Sequence, residues 1–201
     1  MFKTLILLSA LAVFIFGCSK NSGSVGPGSS AAQSSGSATQ PAQNVAGDLR
    51  SKVPDGWTTE KPTSDMRVAQ YKLPHADGDT EDGLLVVYYF GKGQGGSADA
   101  NIERWVNQVK QPDGQPSQDR AKIGSQTVNG LAVKTVDVSG NYGGGMSPDS
   151  APTNSKTIYR LRGAVVETPK GSYFVKLTGP ENTIKRWEQA YNDYLQSLDF
   201  K

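Results

Sequence analysis

The stretch IGSQTVNGLAVKTVDV, residues 123–138, decides the fold class because it holds two strand-like segments around a sharp turn. The hydrophobic pattern of residues 123–128 and 131–138 is typical of strands. Between them stands Asn129-Gly130, two residue types that tolerate the positive φ required at both central positions of a type I′ turn. The stretch therefore predicts an antiparallel β-hairpin.

Other strand-like segments lie before and after this hairpin. Residues 66–73 alternate in polarity, and residues 84–90 form a continuous apolar and aromatic run of strand length. Residues 157–168 and 172–178 surround Pro169-Lys170-Gly171, in which Pro presets one φ and Gly permits an unusual one. We therefore expect a second hairpin, and an antiparallel sheet of about five or six strands in all.

Two segments have the spacing of helices. In residues 97–110, apolar side chains recur at helical intervals after a serine that can cap the helix. In residues 180–198, an apolar stripe follows a proline at the permitted first-turn position. Trp105 and Trp187 lie on these stripes, which predicts that both are core residues. We expect an α+β fold with an antiparallel sheet and two helices packed on one face.

The first residues have the layout of a bacterial export signal. Lys3 gives a basic start, residues 5–16 are an apolar segment too short to span a bilayer comfortably, and Cys18 is the single cysteine. Ile15-Phe16-Gly17-Cys18 resembles the lipobox of bacterial lipoproteins. The resemblance implies that residues 1–17 are a signal peptide and that Cys18 is lipidated and binds a membrane. A cleaved secretory peptide and an uncleaved anchor helix are the alternatives.

Composition changes abruptly after Cys18. Residues 19–47 consist almost entirely of small and polar residues, and such a segment cannot bury enough surface to offset the entropy of ordering it. We expect residues 18–47 to be a flexible tether and residues 48–201 a single globular domain. In lipoproteins of this class, Asp after the cysteine typically retains the protein in the inner membrane. Ser19 therefore implies delivery to the outer membrane of a Gram-negative cell, facing the periplasm or the cell surface.

The charge balance of the expected domain bears on its partners. Of the 21 Lys and Arg residues, Lys3 and Lys20 precede Asp48, which leaves 19 basic residues against 19 acidic ones. A neutral domain without blocks of like charge lacks the electrostatic attraction for phosphate backbones on which nucleic-acid binding depends. We therefore expect no nucleic-acid partner.

The run Gly91-Lys92-Gly93-Gln94-Gly95-Gly96 formally satisfies the dinucleotide pattern G-x-G-x-x-G between a strand and a helix. The expected sheet is antiparallel, an exported protein meets little NAD or FAD, and no second strand ends in an acidic residue at the ribose-binding distance. We therefore expect no cofactor. The glycines are interpreted as a tight connection in which backbone approaches backbone, with a small bound anion as the alternative.

An acidic loop, residues 75–83, is a weak candidate for a metal site. Closely spaced carboxylates can bind Ca²⁺, but the spacing does not match an EF-hand, because Gly83 and Tyr88 stand at the wrong positions. A solvated acidic turn is the other interpretation. The carboxylates of this loop are Asp77, Asp79, Glu81 and Asp82.

The inventory of catalytic side chains is small. His75 is the only histidine, so with Cys18 assigned to lipidation there is neither a Cys/His zinc set nor a Cys–His pair. A Ser-His-Asp triad would need His75 without any G-x-S-x-G turn. We therefore assign no catalytic residues and expect a protein that is not an enzyme. A pair of carboxylates acting in glycoside hydrolysis stays open, because such residues need only be neighbours in space.

From Trp57 to Phe200 the chain resembles a group of uncharacterised bacterial envelope proteins. The resemblance rests on the runs MRVAQY (66–71), YFGKGQGG (89–96), NIERW (101–105) and KLTGP (176–180). In its order of elements the chain is also similar to the PsbP-like fold, an antiparallel sheet with a long C-terminal helix. Neither likeness brings catalytic residues with it, and the PsbP-like fold implies an accessory or binding factor more than an enzyme.

These observations lead to two hypotheses of function. The first is a membrane-anchored envelope lipoprotein that acts as a non-catalytic binding or accessory module for an envelope partner. The alternative is a small-ligand-binding protein, or a hydrolase that uses loop carboxylates. A cleft with paired carboxylates of raised pKa would favour the alternative.

Strand direction indicates where a binding surface lies. If residues 97–110 carry the chain back across the sheet, strands 84–90 and 123–128 run parallel and strand 131–138 runs opposite to both. The loop 140–155 and the acidic loop 77–83 then share one end of the sheet, while Gly91–Gly96 lies at the other. We predict partner contact at the shared end, with Tyr142 and Met146 as apolar anchors beside Asp77 and Asp79.

Overall fold

A large antiparallel sheet lies at the centre of the described part of the chain. In this computed structural model, residues 48–143 and 157–201 are described, together with the backbone of residues 43–46. The strands are β1 Gln43–Ala46, β2 Leu49–Lys52, β3 Thr58–Glu60, β4 Arg67–Leu73, β5 Gly83–Tyr89, β6 Val109–Lys110, β7 Lys122–Val128, β8 Leu131–Tyr142, β9 Tyr159–Glu167, β10 Tyr173–Pro180 and β11 Asp199–Phe200. The helices are α1 Ala98–Asn107, α2 Glu181–Arg186 and α3 Glu188–Gln196.

The main sheet has eight strands in the order β3-β4-β5-β10-β9-β8-β6, with β7 also paired to β8. A second sheet has the order β1-β2-β11, so that Leu49 of β2 faces Phe200 of β11. All of these pairings are antiparallel. The α+β class with an antiparallel sheet is therefore confirmed, with more strands in the main sheet than the five or six expected.

The hairpin that decides the fold class forms where the sequence predicts it. Asn129 and Gly130 have φ values of 48° and 84°, and Val128 pairs with Leu131. The second strand of this hairpin runs on to Tyr142, past the predicted end at Val138, because β9 and β6 both pair with its last residues. The second hairpin, β9 to β10, also forms as predicted.

The two helical regions lie on opposite faces of the sheet, which corrects the expectation that both pack on one face. Adjacent residues of a strand point to opposite faces. On β9, Gly163 lies beneath the Trp105 ring of α1, whereas the guanidinium carbon of its neighbour Arg162 lies 4.6 Å from the ring centroid of Tyr191 on α3. The sheet is therefore buried on both faces, which is why residues 85–88 of β5 are all buried.

Each face has its own hydrophobic core. On the α3 face, Leu85 and Val87 of β5 pack with Tyr191 and Leu195 of α3. On the α1 face, the core joins Ile102, Trp105 and Val106 of α1 to eight sheet residues, which are Val86, Tyr88, Val109, Val136, Val138, Leu161, Val165 and Phe174.

Charged residues attach α3 to the sheet. Arg160 of β9 donates to both carboxylate oxygens of Asp137 on β8, at 2.8 and 2.5 Å, and to Glu188 at the start of α3, at 3.1 Å. The hydrogen bond from Arg160 lowers the pKa of the Glu188 carboxyl. Arg162 donates to Asn192 of α3 at 2.9 Å. These contacts fix the position of α3 over β8 and β9.

The C-terminal helical region divides at Trp187, and this tryptophan is not the core residue that its stripe predicts. It separates α2 from α3 with φ −96° and ψ 10°. Trp187 is only partly buried, packs over Gly56 and donates from Nε1 to the carbonyl of Pro74 at 2.8 Å. Trp105, by contrast, is a buried core residue as predicted.

Several predictions about the N-terminal part of the chain fall outside the described residues. These are the signal peptide 1–17, the lipidated Cys18 and most of the tether 18–47. Strand β1 begins at Gln43, before the expected domain start at Asp48, because its backbone pairs with β2. Among the described residues, no helix has the length and apolar character needed to cross a membrane.

We expect Trp105→Ala to lower the free energy of unfolding by about 3–5 kcal/mol, the range for deleting a large buried aromatic side chain. Gly163→Ala should lower it by about 1–3 kcal/mol, because the new methyl group would collide with the Trp105 ring. Urea unfolding of the purified protein measures both. Trp187→Ala serves as the partly exposed comparison and should have a smaller effect than Trp105→Ala.

The double variant Trp105→Ala/Gly163→Ala tests the contact itself. Alanine at position 105 removes the ring that the new methyl group would strike, so the two losses should not add. The double variant should be about as stable as Trp105→Ala alone. Full additivity would contradict the packing of Trp105 on Gly163.

Candidate functional site: the acidic end of the sheet

The acidic turn, residues 75–83, connects β4 to β5 and is attached to α2. Asp82 accepts hydrogen bonds at Oδ1 from the backbone N and from Nδ1 of His75, both at 2.8 Å. Asp79 accepts at Oδ2 from the backbone N and from Oγ1 of Thr183, at 2.8 and 2.6 Å. Thr183 is fully buried and also accepts from the backbone N of Ala76. The turn is therefore an ordered surface.

Glu81 links this turn to the start of β9. Tyr159 donates from its hydroxyl to Glu81 Oε2 at 2.6 Å. Burial, followed by the hydrogen bond to Glu81, raises the pKa of the Tyr159 hydroxyl. The Tyr159 ring stacks on Tyr142 of β8 with a centroid distance of 6.0 Å and an interplanar angle of 18°. We call the acidic turn with Tyr142 and Tyr159 the acidic end.

The strand directions explain why these residues meet. The antiparallel pairs β5·β10, β10·β9, β9·β8 and β8·β7 make β5 and β7 run parallel and β8 run opposite to both. The end of β8 and the start of β5 therefore lie at the same end of the sheet, as predicted. The glycine run that follows β5 lies at the other end, also as predicted.

The two predicted apolar anchors have different outcomes. Met146 lies outside the described residues, as does the loop 140–155 from residue 144 to its end. Tyr142 is described and is half-buried. Its hydroxyl accepts a hydrogen bond from Nζ of Lys176 at 2.8 Å, and burial raises its pKa. Only part of the Tyr142 ring is therefore open to a partner.

The carboxylates of the acidic turn do not converge on a calcium site. Asp79 points to Thr183, Glu81 to Tyr159, and Asp82 to His75. Asp77 is exposed and forms no hydrogen bond or ion pair within the described ranges. No group of three or more His, Cys, Asp or Glu residues suited to a metal occurs in the described part of the chain. The weak Ca²⁺ candidate therefore finds no support in the geometry.

The glycine run forms a tight connection to α1. Gly95 has φ 86°, and a Cβ at this position would lie 2.6 Å from the ring of Phe174. Asn101 of α1 donates from Nδ2 to the carbonyls of Gly95 and Ser97, at 2.7 and 2.9 Å. The glycines thus allow the backbone to pack against core aromatic rings, as the interpretation of a tight connection requires.

A hydrolytic site that uses carboxylates would contain a carboxyl group with a raised pKa. Among the described residues, two carboxyl groups have shifted pKa values, Asp82 and Glu188, and both pKa values are lowered, by hydrogen bonds from His75 and Arg160. A general acid needs the opposite shift. A cleft of about 230 Å³ beside α3 contains one carboxylate, Asp137, which is paired with Arg160 and Arg162.

Sequence reasoning missed Tyr159, Thr183 and Lys176. Tyr159 lies in the predicted strand 157–168, and Thr183 lies within a predicted helix, but no sequence pattern indicates that they contact the acidic turn. Lys176 did leave a signal, because it interrupts the apolar run Tyr173-Phe174-Val175 and Leu177. A charged residue inside a strand buried on both faces calls for polar partners.

Comparisons with known proteins give the fold but no family. No protein-family model and no curated protein matches the chain. LpqN, involved in cell envelope biogenesis of Mycobacterium tuberculosis, is 11% identical, with a TM-score of 0.50 over 76% of this chain and 83% of its own. At this identity the likeness shows the fold alone.

Two further solved structures are similar with lower scores. A protein of unknown function from Pseudomonas aeruginosa is 16% identical, with a TM-score of 0.45 over 75% of this chain and 90% of its own. A structure from Bacteroides thetaiotaomicron is 11% identical, with a TM-score of 0.42 over 78% of this chain and 46% of its own. None is described as PsbP-like, so that likeness stays a prediction.

The pair of His75 and Asp82 leads to a test of stability against pH. Hydrogen bonds from the side chain and backbone of His75 lower the pKa of Asp82 from 3.8. A carboxyl group whose pKa is lower in the folded state stabilises the fold at higher pH, and this stabilisation is lost as the pH falls through the folded-state pKa. Asp82→Asn should therefore lower the thermal midpoint near neutral pH, and its difference from the parent should shrink in acid.

The matched control is Asp77→Asn in the same turn. Since Asp77 has no partner among the described residues, its replacement should leave the midpoint unchanged at every pH. If the thermal midpoints of Asp82→Asn and the parent differ by the same amount from neutral pH into acid, this would contradict a stabilising charge at Asp82.

Proposed function

We propose that the protein is a lipid-anchored protein of the bacterial cell envelope whose folded domain is a non-catalytic binding or accessory module. In this proposal lipidated Cys18 holds the chain on a membrane, with the outer membrane favoured by Ser19. The tether before Asp48 separates the domain from the lipid. The acidic end of the sheet contacts a partner protein or another envelope component.

The observation that carries the partner site is the junction of the acidic turn with the tyrosine stack. Tyr159, which is only 8% exposed, contacts Glu81 on one side and the half-buried Tyr142 on the other, so it holds an exposed carboxylate beside a partly exposed aromatic ring. Aromatic side chains with a polar edge are common anchors at protein interfaces. The contacts of Asp79 with Thr183 hold the turn in place before binding, which reduces the entropy lost on association.

The envelope location has a separate basis. It depends on the lipobox-like run that ends at Cys18. The structural neighbour LpqN is a protein of cell envelope biogenesis, and its likeness in fold supports the proposal without identifying a partner.

We expect Cys18→Ser to abolish membrane association and to leave the domain folded, because the acylated residue precedes the domain by a long segment. Fractionation of cells into membrane and soluble parts, with the protein detected in each, measures the first effect. Circular dichroism of the soluble variant measures the second. A serine variant that still sediments with membranes would contradict lipid anchoring.

Partner contact can be tested by capture from detergent-solubilised envelopes with the native protein as bait. Asp77→Lys reverses one exposed charge at the acidic end and should reduce capture of a specific partner at least several-fold, because like charges at an interface repel. Asp65→Lys is the matched control, since Asp65 is an exposed carboxylate in the connection before β4, at the opposite end of that strand. Equal capture by both variants would contradict the proposed surface.

A further inference from the structure

Lys176 is a lysine buried at the centre of the main sheet. It lies on β10 between Val86 of β5 and Gly163 of β9, and only 6% of it is exposed. Removing an ammonium group from water is unfavourable unless a carboxylate or several hydrogen bonds compensate for it. Within residues 48–143 and 157–201, no carboxylate forms an ion pair with Lys176. Its charge is therefore not neutralised there.

The hydrogen-bond partners of Lys176 are uncharged. Its Nζ donates to Oε1 of Gln108, at the end of α1, at 2.6 Å, and to the hydroxyl of Tyr142 at 2.8 Å. It also lies 5.3 Å from the centroid of the Tyr142 ring, where it gains a cation–π attraction. An ammonium group has three N–H donors, so one donor has no acceptor among the described residues.

Two arginines bring further positive charge to the same place. Arg67 lies on the same face of the sheet, with its guanidinium carbon 5.7 Å from the ring of Tyr88, a diagonal neighbour of Lys176. Arg104 lies one helical turn before Gln108, and Gln108 accepts the hydrogen bond from Lys176. Burial first, and then the charges of both arginines, lower the pKa of Lys176 to about 7.

Neither arginine is neutralised by a carboxylate of the described residues. Arg67 donates to Oε1 of Gln70 at 2.9 Å, and Arg104 donates to Oδ1 of Asn101. Glu60 is the nearest acidic residue along the hydrogen-bond chain, but it contacts Gln70 and Lys72 rather than Arg67. Three cations without a counter-charge repel one another, and an anion would relieve this repulsion.

We propose that Arg67, Arg104 and Lys176, here called the cationic cluster, bind a dianionic oxyanion of the size of a phosphate monoester group. Guanidinium groups offer paired donors that match two oxygens of such a group, and the ammonium offers a third direction. The hydroxyls of Tyr88 and Tyr142 border the cluster. Arg104 is exposed, so the anion enters from solvent at the side of α1.

Sulfate is the first probe, because it carries two charges across the neutral pH range. Calorimetric titration of the full chain in detergent, with chloride at equal ionic strength as the reference, should show saturable binding of sulfate. Lys176→Met keeps the length of the side chain and should weaken binding about tenfold or more, as expected for losing a hydrogen bond to a charged group. Arg104→Gln should also weaken it, and this exposed position does not put folding at risk.

Lys185→Gln is the matched control, since Lys185 is an exposed lysine of α2 on the other face of the sheet. It should bind sulfate as the parent does. Circular dichroism of each variant without ligand shows whether it is folded. Equal loss of binding in Lys185→Gln and Lys176→Met, or no sulfate binding by the parent protein, would overturn the proposal.

A pH series separates this site from a general attraction of anions. The groups that face Lys176 are Arg67, Tyr88, Arg104, Gln108 and Tyr142, and burial raises the pKa of both tyrosines further above neutral pH. Sulfate should therefore bind more tightly at about pH 6 than at about pH 8, with proton uptake, because a bound anion raises the pKa of Lys176. The pH dependence should disappear in Lys176→Met. Its persistence in that variant would overturn the role of Lys176.

The source of the phosphate group is decided by competition with bound sulfate. Displacement by glycerol 3-phosphate would identify a water-soluble phosphate ester as the ligand class. Displacement only by a soluble short-chain phosphatidic acid would identify a lipid headgroup. Either result supports the cationic cluster as a phosphate site, whereas failure of both esters to displace sulfate would contradict the ligand class.

Discussion

Burial of the central strands on both faces is the constraint on which the rest of the structure depends. In β5 and β10, successive residues are buried whether they point to the α1 face or to the α3 face. Each fully buried apolar side chain stabilises the fold by about 1.5–3 kcal/mol, so both faces must be covered. On one side the cover is formed by α2, α3 and the terminal sheet that contains β2, and on the other by α1.

Helix α1 covers only part of its face of the sheet, which explains why charged and polar side chains occur there. The helix has ten residues and lies mainly over β8 and β9 rather than over β4. Those positions carry Arg67, Gln70 and Lys72 instead of apolar residues. Lys176 lies at the boundary between the covered and uncovered parts of the face. Tyr142 belongs to the acidic end and accepts a hydrogen bond from Lys176 of the cationic cluster, so the end of β8 connects two groups of opposite charge.

The sequence predicted the features that depend on local signals. Asn129-Gly130 determined one hairpin, Pro169-Lys170-Gly171 another, and antiparallel geometry then placed Tyr142 beside the acidic turn. It did not predict the opposite placement of the helices, because the face that a helix covers depends on contacts between distant residues. Strands of two or three residues, such as β6 and β11, are too short to show a period. Lys176 was missed because a lysine in a strand is ordinarily exposed.

The pairing of β2 with β11 makes the described chain almost a closed ring. Leu49 faces Phe200, and the backbone N of Lys201 donates to the carbonyl of Asp48 at 3.2 Å. The fold therefore depends on the cyclic order of its strands and helices. The position of the two chain ends within that order has little influence on the fold. A permuted chain that begins at β2, is joined across this ladder and is opened at the exposed Asn129-Gly130 turn would lose β1 but would contain the other strand neighbours and the same two cores.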